Sequence, residues 1–195
     1  MTIIALLGSF VCMQKSDTCN HITNFVNYVE KQFNIAIKII WTDNGMEFAM
    51  KNLCQSKEII HQTTCVETPK QNDIVERKHQ HLLNVTRTLL FQATLPSIFW
   101  NFVIQHATFL INCILTPLLN NTSAYEKLYD KLYDISVLRV FGCLCYSNTL
   151  NANKKKLDSR ATTGVFLGFQ STTKRYLYPN LKNHKIDISR HIFFH

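Results

Sequence analysis

Ile35-Ala36-Ile37-Lys38-Ile39-Ile40-Trp41-Thr42-Asp43-Asn44-Gly45 is the stretch from which the fold is read. Its first seven residues are nearly continuous in apolar character and rich in β-branched side chains, as expected of a strand buried on both faces. Asp43 follows at the C-terminal end of that strand, where open α/β sheets place their ligands. Asn44-Gly45 then turns the backbone sharply. Thirty-three positions after Asp43, Glu76 stands in the first turn of a long helical pattern that follows Pro69 and Asn72-Asp73. The helix dipole favours an anion there, and Arg77, Lys78 and His79 beside it are suited to phosphates. Two carboxylates presented at the edges of elements suit a hard divalent cation held by oxygen.

Working outward, residues 9–14 read as a short apolar strand. Ser16-Asp17 supplies an N-cap, and Ile22, Phe25, Val26, Val29 and Phe33 recur at helical spacing behind it. After Asp43 a short helix is expected over residues 48–56, with Phe48 and Leu53 inward, and then a strand over residues 58–64. Strand, helix and strand within so short a span predict a right-handed crossover between parallel neighbours. A helix over residues 74–93 carries Val75, Leu82, Thr86, Leu89 and Ala93 on its inner stripe, and Pro96 opens the next one. That helix, residues 98–114, places Phe99, Val103, His106, Leu110 and Cys113 on one side, with Trp100, Phe102 and Phe109 also taken as core. Beyond a linker and a short helix near residues 125–132, four strand-like runs divided by polar turns predict a small all-β appendage.

The chain has 195 residues, 46% of them hydrophobic, with only five Gly and four Pro, which supports a packed core. Its net charge of +8 is unevenly spread. Residues 1–150 carry twelve Lys/Arg against eleven Asp/Glu, whereas residues 151–195 carry nine against two. A basic end on a near-neutral body points to an anionic partner, most often nucleic acid. Lys70, Arg77, Lys78, Lys154, Lys155 and Lys156 are the candidate phosphate contacts. Seven Cys, an odd number without any C-x-x-C pair, fit a reducing compartment better than a disulfide framework or a zinc finger. Cys143 and Cys145, at strand spacing, are expected as buried small hydrophobes. His61 is expected to be structural. His79 and His81, two apart on a helix, point apart and make no ordinary metal pair.

The apolar stretch at residues 1–13 lacks a preceding cation and a small-residue cleavage site, so no leader is expected. Residues 99–119 are interrupted by Asn101, Gln105, His106 and Asn112 and ended by Pro117, so a core helix is expected in place of a membrane span.

Trp41-Thr42-Asp43-Asn44-Gly45-Met46-Glu47-Phe48, Ile59-Ile60-His61-Gln62-Thr63, Thr68-Pro69-Lys70-Gln71-Asn72 and Val75-Glu76-Arg77-Lys78-His79 resemble the integrase core of copia-type long-terminal-repeat retrotransposons. The resemblance continues through Leu95-Pro96, Phe99-Trp100 and Leu110-Ile111-Asn112. It extends to Leu138-Arg139-Val140-Phe141-Gly142-Cys143-Leu144-Cys145-Tyr146, Arg160-Ala161 and Gly164-Val165-Phe166-Leu167-Gly168-Phe169. It implies an α/β fold: a truncated ribonuclease-H-like core (a mixed sheet with flanking helices) over residues 1–115, a linker with a short helix over 116–136, and a small Src-homology-3-like β-barrel domain over 137–195. It also implies a three-carboxylate site holding Mg²⁺ (or Mn²⁺) for phosphoryl transfer during DNA integration. Asp43 matches the second carboxylate and Glu76 the third. Implied partners are DNA, both element ends and target, with self-association and no membrane. The implied location is intracellular, in the nucleus or a cytoplasmic virus-like particle.

Three departures accompany the resemblance. Residues 1–9 hold no acidic residue where the family's first carboxylate strand would lie. The interval from Asp43 to Glu76 is a few residues short, roughly one helical turn. Asp73 stands where the family has Gly before the helix, adding negative charge near Glu76. The expectation is therefore an integrase-like fragment of a Pol polyprotein with impaired catalysis, the alternatives being a non-catalytic nucleic-acid-binding module or a degenerate remnant.

Overall fold

The computed structural model describes residues 7–12, 14–63, 73–148, 157, 159–170 and 175–195, with the side chains of residues 73 and 74 left aside. Two compact units emerge, one of residues Phe10–Gln80 and one of residues 7–9 with His81–His195. The content is α/β, with several small sheets.

The first unit begins with a segment outside helix and strand. Residues 9–12 form no strand, against expectation, and Phe10 instead sets its ring against Phe25 at 5.8 Å between centroids. Helix α1 (Thr18–Phe33) follows a 3-10 turn and ends where Asn34 takes a left-handed conformation, φ 54°. Asn tolerates that region better than most residues. Strand β1 (Ile39–Thr42) is shorter than the apolar run that predicted it. Helix α2 (Lys51–Ser56) leads to β2 (Ile60–Thr63), which pairs with β1 in parallel, Ile39 facing Ile60 and Thr42 facing Thr63. Val26, Met50, Cys54 and Ile59 form the core beneath, joined by Ile37, Ile40, Phe48 and Leu53. Fully burying Val26 stabilises by about 1.5–2 kcal/mol. The strand is not buried on both faces as expected: Ile40 and Thr42 turn toward that core, while Ile39 is 45% and Trp41 61% exposed. Two strands have only one covered face here because one helical layer packs on them.

The boundary between the units falls inside α3 (Asp73–Gln92). Leu82 and Thr86 are buried on it as expected, but Val75 is exposed. Helix α4 (Trp100–Cys113) buries Val103, His106, Ala107 and Thr108, and leaves Trp100 half exposed, so Trp100 is not core. Pro96 sits at the N-cap of the 3-10 turn Ser97–Phe99, which then leads into α4. The pair β3 (Leu115–Thr116) and β4 (Thr122–Ser123) follows, then α5 (Ala124–Tyr129), capped where the Glu126 N–H donates to Ser123 Oγ at 3.0 Å.

Six further strands make two antiparallel sheets. β5 (Leu144–Asn148) lies between β6 (Ala161–Val165) and β10 (Ile192–Phe194). β8 (Tyr176–Pro179) lies between β7 (Gly168–Phe169) and β9 (Ile186–Ser189). A single bridge, Gly164 to Asn180, joins them, and no closed barrel forms among the described residues. Gly142, φ +81°, lets this region approach the turn that follows α3: a Cβ there would sit 2.3 Å from that of Ala93. Cys145 is fully buried in β5, whereas Cys143 precedes the strand in a turn and is only half-buried. Burial pushes the Cys145 thiol up to about 11.

Candidate metal and nucleic-acid site

Asp43 leaves β1 with its carboxylate exposed and its Oδ1 accepting from the Gly45 N–H at 3.0 Å. This is an Asx turn, in which an Asp oxygen does the work of a backbone carbonyl two residues before its partner. The strand end behind it is tied down. The Thr42 hydroxyl donates to the Asp43 carbonyl at 2.9 Å, and His61 Nε2 lies 2.8 Å from Thr42 Oγ1. With the hydroxyl proton committed to Asp43, His61 is the donor, through Nε2–H. His61 is thus structural, linking β2 to the end of β1 below the carboxylate.

Glu47 shares this corner. A Cβ on Gly45 would lie 2.7 Å from Glu47 Oε2 and 3.0 Å from Asp43 Oδ1. Any larger side chain there would displace the free ends of both carboxylates, so Gly45 leaves room for them beside the turn. Glu47 pairs with Lys15 at 3.4 Å, and its carbonyl accepts from Cys19 Sγ at 3.3 Å, so the turn is fastened to the start of α1. A backbone N–H hydrogen bond, and then Lys15, hold the Glu47 carboxyl below its ordinary range. Sequence reading assigned Glu47 no role; the signal was its four-residue spacing from Asp43 across a Gly-containing turn.

Glu76 lies in the first turn of α3, exposed, with Arg77, Lys78 and His79 exposed beside it. Lys70, Lys154, Lys155 and Lys156 lie outside the described residues, as does the loop between β2 and α3. The oxygen donors Asp43 and Glu76 suit Mg²⁺ in kind. In number they fall short: no group of three His, Cys, Asp or Glu side chains converges among the described residues. Among the described residues, the site does not fit a two-metal clamp. Nor is any described helix long and apolar enough to cross a membrane.

A parallel strand pair under a helical layer, followed in the chain by two antiparallel three-stranded sheets, makes this an α/β protein with a β-rich C-terminal part. Residues 143–195 match the retroviral polymerase SH3-like domain. Over 182 residues, 93% of its length, the chain is 37% identical to the retrovirus-related Pol polyprotein from transposon RE1 and 33% to that from RE2, both of Arabidopsis thaliana. It is 26% identical over 191 residues to the corresponding polyprotein from transposon TNT 1-94 of Nicotiana tabacum. The chain belongs to the copia-type retrotransposon Pol polyproteins, and its residues 143–195 to their SH3-like region. It spans 12% of the length of the two Arabidopsis relatives and 14% of the tobacco one. Among solved structures, it is similar to the catalytic core domain of BIV integrase (TM-score 0.47, 18% identity, 66% of this chain and 81% of that one). It is also similar to a chain of the simian T-cell lymphotropic virus intasome in complex with PP2A regulatory subunit B56 gamma (TM-score 0.45, 16% identity, 88% of this chain and 61% of that one).

Proposed function

We propose that this chain is the DNA-engaging part of a copia-type integrase, with a ribonuclease-H-like core over residues 1–115, a linker over 116–136 and the SH3-like domain over 137–195. Asp43 and Glu76 are the second and third carboxylates of its site, and Mg²⁺ or Mn²⁺ is the ion they help to hold. The observation that carries the reading is Asp43 itself, exposed at the C-terminal end of a parallel strand and fixed by its Asx turn. Arg77 and Lys78 beside Glu76, with Lys70 and Lys154 to Lys156, supply phosphate contacts. DNA and a second copy of the chain are the partners, and the location is the nucleus or a cytoplasmic virus-like particle.

By itself the polypeptide is a poor catalyst on this reading. Two carboxylates hold one cation weakly, and a clamp lacking a shared ligand forfeits several kcal/mol of transition-state stabilisation, on the order of what one strong electrostatic stabiliser contributes. Incubating the chain with Mg²⁺ and linear DNA bearing 3′-hydroxyl ends should give no measurable strand transfer. Robust turnover that Glu76→Gln abolishes would overturn the impairment while supporting the site. Duplex binding should nonetheless occur and weaken steeply with salt. Arg77→Ala and Lys78→Ala should each reduce the slope of log K against log salt by about 1. A flat salt response would remove DNA from the proposal.

A further inference from the structure

The outward face of the sheet β10-β5-β6 has a composition that the packing of the domain does not explain. Register places Phe193 opposite Tyr146, while Phe194 and Cys145, one position along, turn inward. Cys145 and Ser147 are buried, whereas Phe193 is 65% and Tyr146 37% exposed. Directly opposite residues of an antiparallel pair have Cβ atoms about 5 Å apart, so the two aromatic side chains share one outward face of the sheet. On the edge strand β10 and its flanks, His191, Phe193 and His195 alternate outward, all exposed. Asn148 N–H donates to the His191 carbonyl at 3.3 Å and pairs in register with Ala161, so Arg190 and Arg160 both enter at that end of the sheet. Both arginines are exposed. The three strands themselves contain no carboxylate.

We propose that this face binds an unpaired stretch of nucleic acid, with Phe193 and Tyr146 as the stacking platform and Arg160 and Arg190 as contacts to its backbone. The inference rests on the nucleic-acid reading above and adds to it a second surface and a strand preference. Exposed aromatics among cations favour this occupant over a peptide, for which the face offers no closed groove. Every base has a π-face, so such a platform holds single strands with little regard to sequence, and a duplex, whose bases are already stacked, gains nothing from it. Charge complementarity comes from the cations gathered at one end of a sheet that lacks acidic residues.

The test uses the full chain and two labelled probes, a mixed-sequence single strand of about 16 nucleotides and the duplex of the same sequence. Phe193→Leu and Tyr146→Leu, which keep apolar bulk but not a ring, should each weaken single-strand binding about 10-fold and leave duplex binding within about twofold. Phe193→Tyr and Tyr146→Phe should bind as the parent does. A single strand carrying 2-aminopurine should be quenched on binding the unaltered chain, a readout that does not depend on any variant folding. Duplex binding without single-strand binding would overturn the inference and leave the DNA reading standing; binding of neither would remove both. Absence of quenching, or equal loss on both probes, would also overturn it. So would a change in sedimentation with unaltered nucleic-acid affinity, because the face would then be a contact between copies.

Discussion

In residues 81–195, Phe166 and Leu167 are fully buried, and the Phe166 ring meets those of His106, Phe169, Tyr176 and Phe194 at 5.3 to 6.0 Å. In residues 10–80, the outward face of the sheet leaves Ile39, Trp41 and Ile60 in the open, Ile60 at 57%. The contrast follows from topology. Two antiparallel three-stranded sheets and a helix enclose a shared interior, and their inner positions fill with aromatics. A two-stranded parallel pair has one covered face, whereas parallel sheets ordinarily have both covered. The β region therefore draws on hydrophobic burial that the carboxylate-bearing region does not reach, at roughly 25 cal/mol for each Å² of apolar surface.

The two tryptophans report on the two regions separately, Trp41 in one and Trp100 in the other. In a urea titration, a Trp100→Phe variant, which leaves Trp41 as sole reporter, should unfold at a lower midpoint than a Trp41→Phe variant. The largest mutational effect expected is Phe166→Ala, which removes a fully buried ring and should cost about 3–5 kcal/mol in the Trp100-reported transition. Val26→Ala in the other core should cost about 2 kcal/mol in the Trp41-reported one. Coincident midpoints for the two reporters, moved equally by both substitutions, would break the comparison.

A second prediction sharpens the same contrast through pH. His106 is 4% exposed, its ring 5.2 Å from that of Phe141, and burial pulls its pKa down to about 4. In the unfolded chain the imidazole titrates near its ordinary value, so between the two values the unfolded state binds the extra proton. Stability is then full above about pH 6.5 and falls as the pH drops toward 4, by about 3 kcal/mol in all. The loss should appear in the Trp100-reported transition, and His106→Leu should flatten it. An unchanged pH profile in that variant would show that other groups carry the dependence.

The helical half was well legible in the sequence. The periodicity of Val26, Leu82, Thr86, Val103 and His106 placed the centres of the buried stripes, because a helix converts spacing directly into a face, whereas Phe25 and Val75, read on the same stripes, are exposed. Apolar runs misled where burial depends on a neighbour. Residues 35–41 read as doubly buried, yet only Ile37 and Ile40 join the core, since nothing described covers the other face. Trp100 failed for the same reason: hydrophobicity says what a residue prefers, not whether a second element arrives to cover it. At the site, Asp43 and its turn were legible because Asp-Asn-Gly specifies the backbone locally. Glu47 and the bond from His61 to Thr42 were not, since each needs β1, β2 and α1 brought into register.

That bond gives the smallest effect and the most local test. Thr42 Oγ1 accepts from His61 Nε2–H and donates to the Asp43 carbonyl, so one hydroxyl joins the two strands to the turn that presents Asp43. Thr42→Val keeps the shape and removes both bonds. The environment is only partly buried, so water recovers much of the loss, and the cost should be about 1 kcal/mol in the Trp41-reported transition. The tautomer is the sharper readout. In nitrogen-detected NMR above the imidazole's titration range, His61 of the unaltered chain should show a proton on Nε2. Thr42→Val should release that preference, and Thr42→Ser, which keeps the hydroxyl, should restore it. If His61 holds the same tautomer in all three, its ring is fixed by other contacts and the hydroxyl does not link β2 to the Asp43 turn.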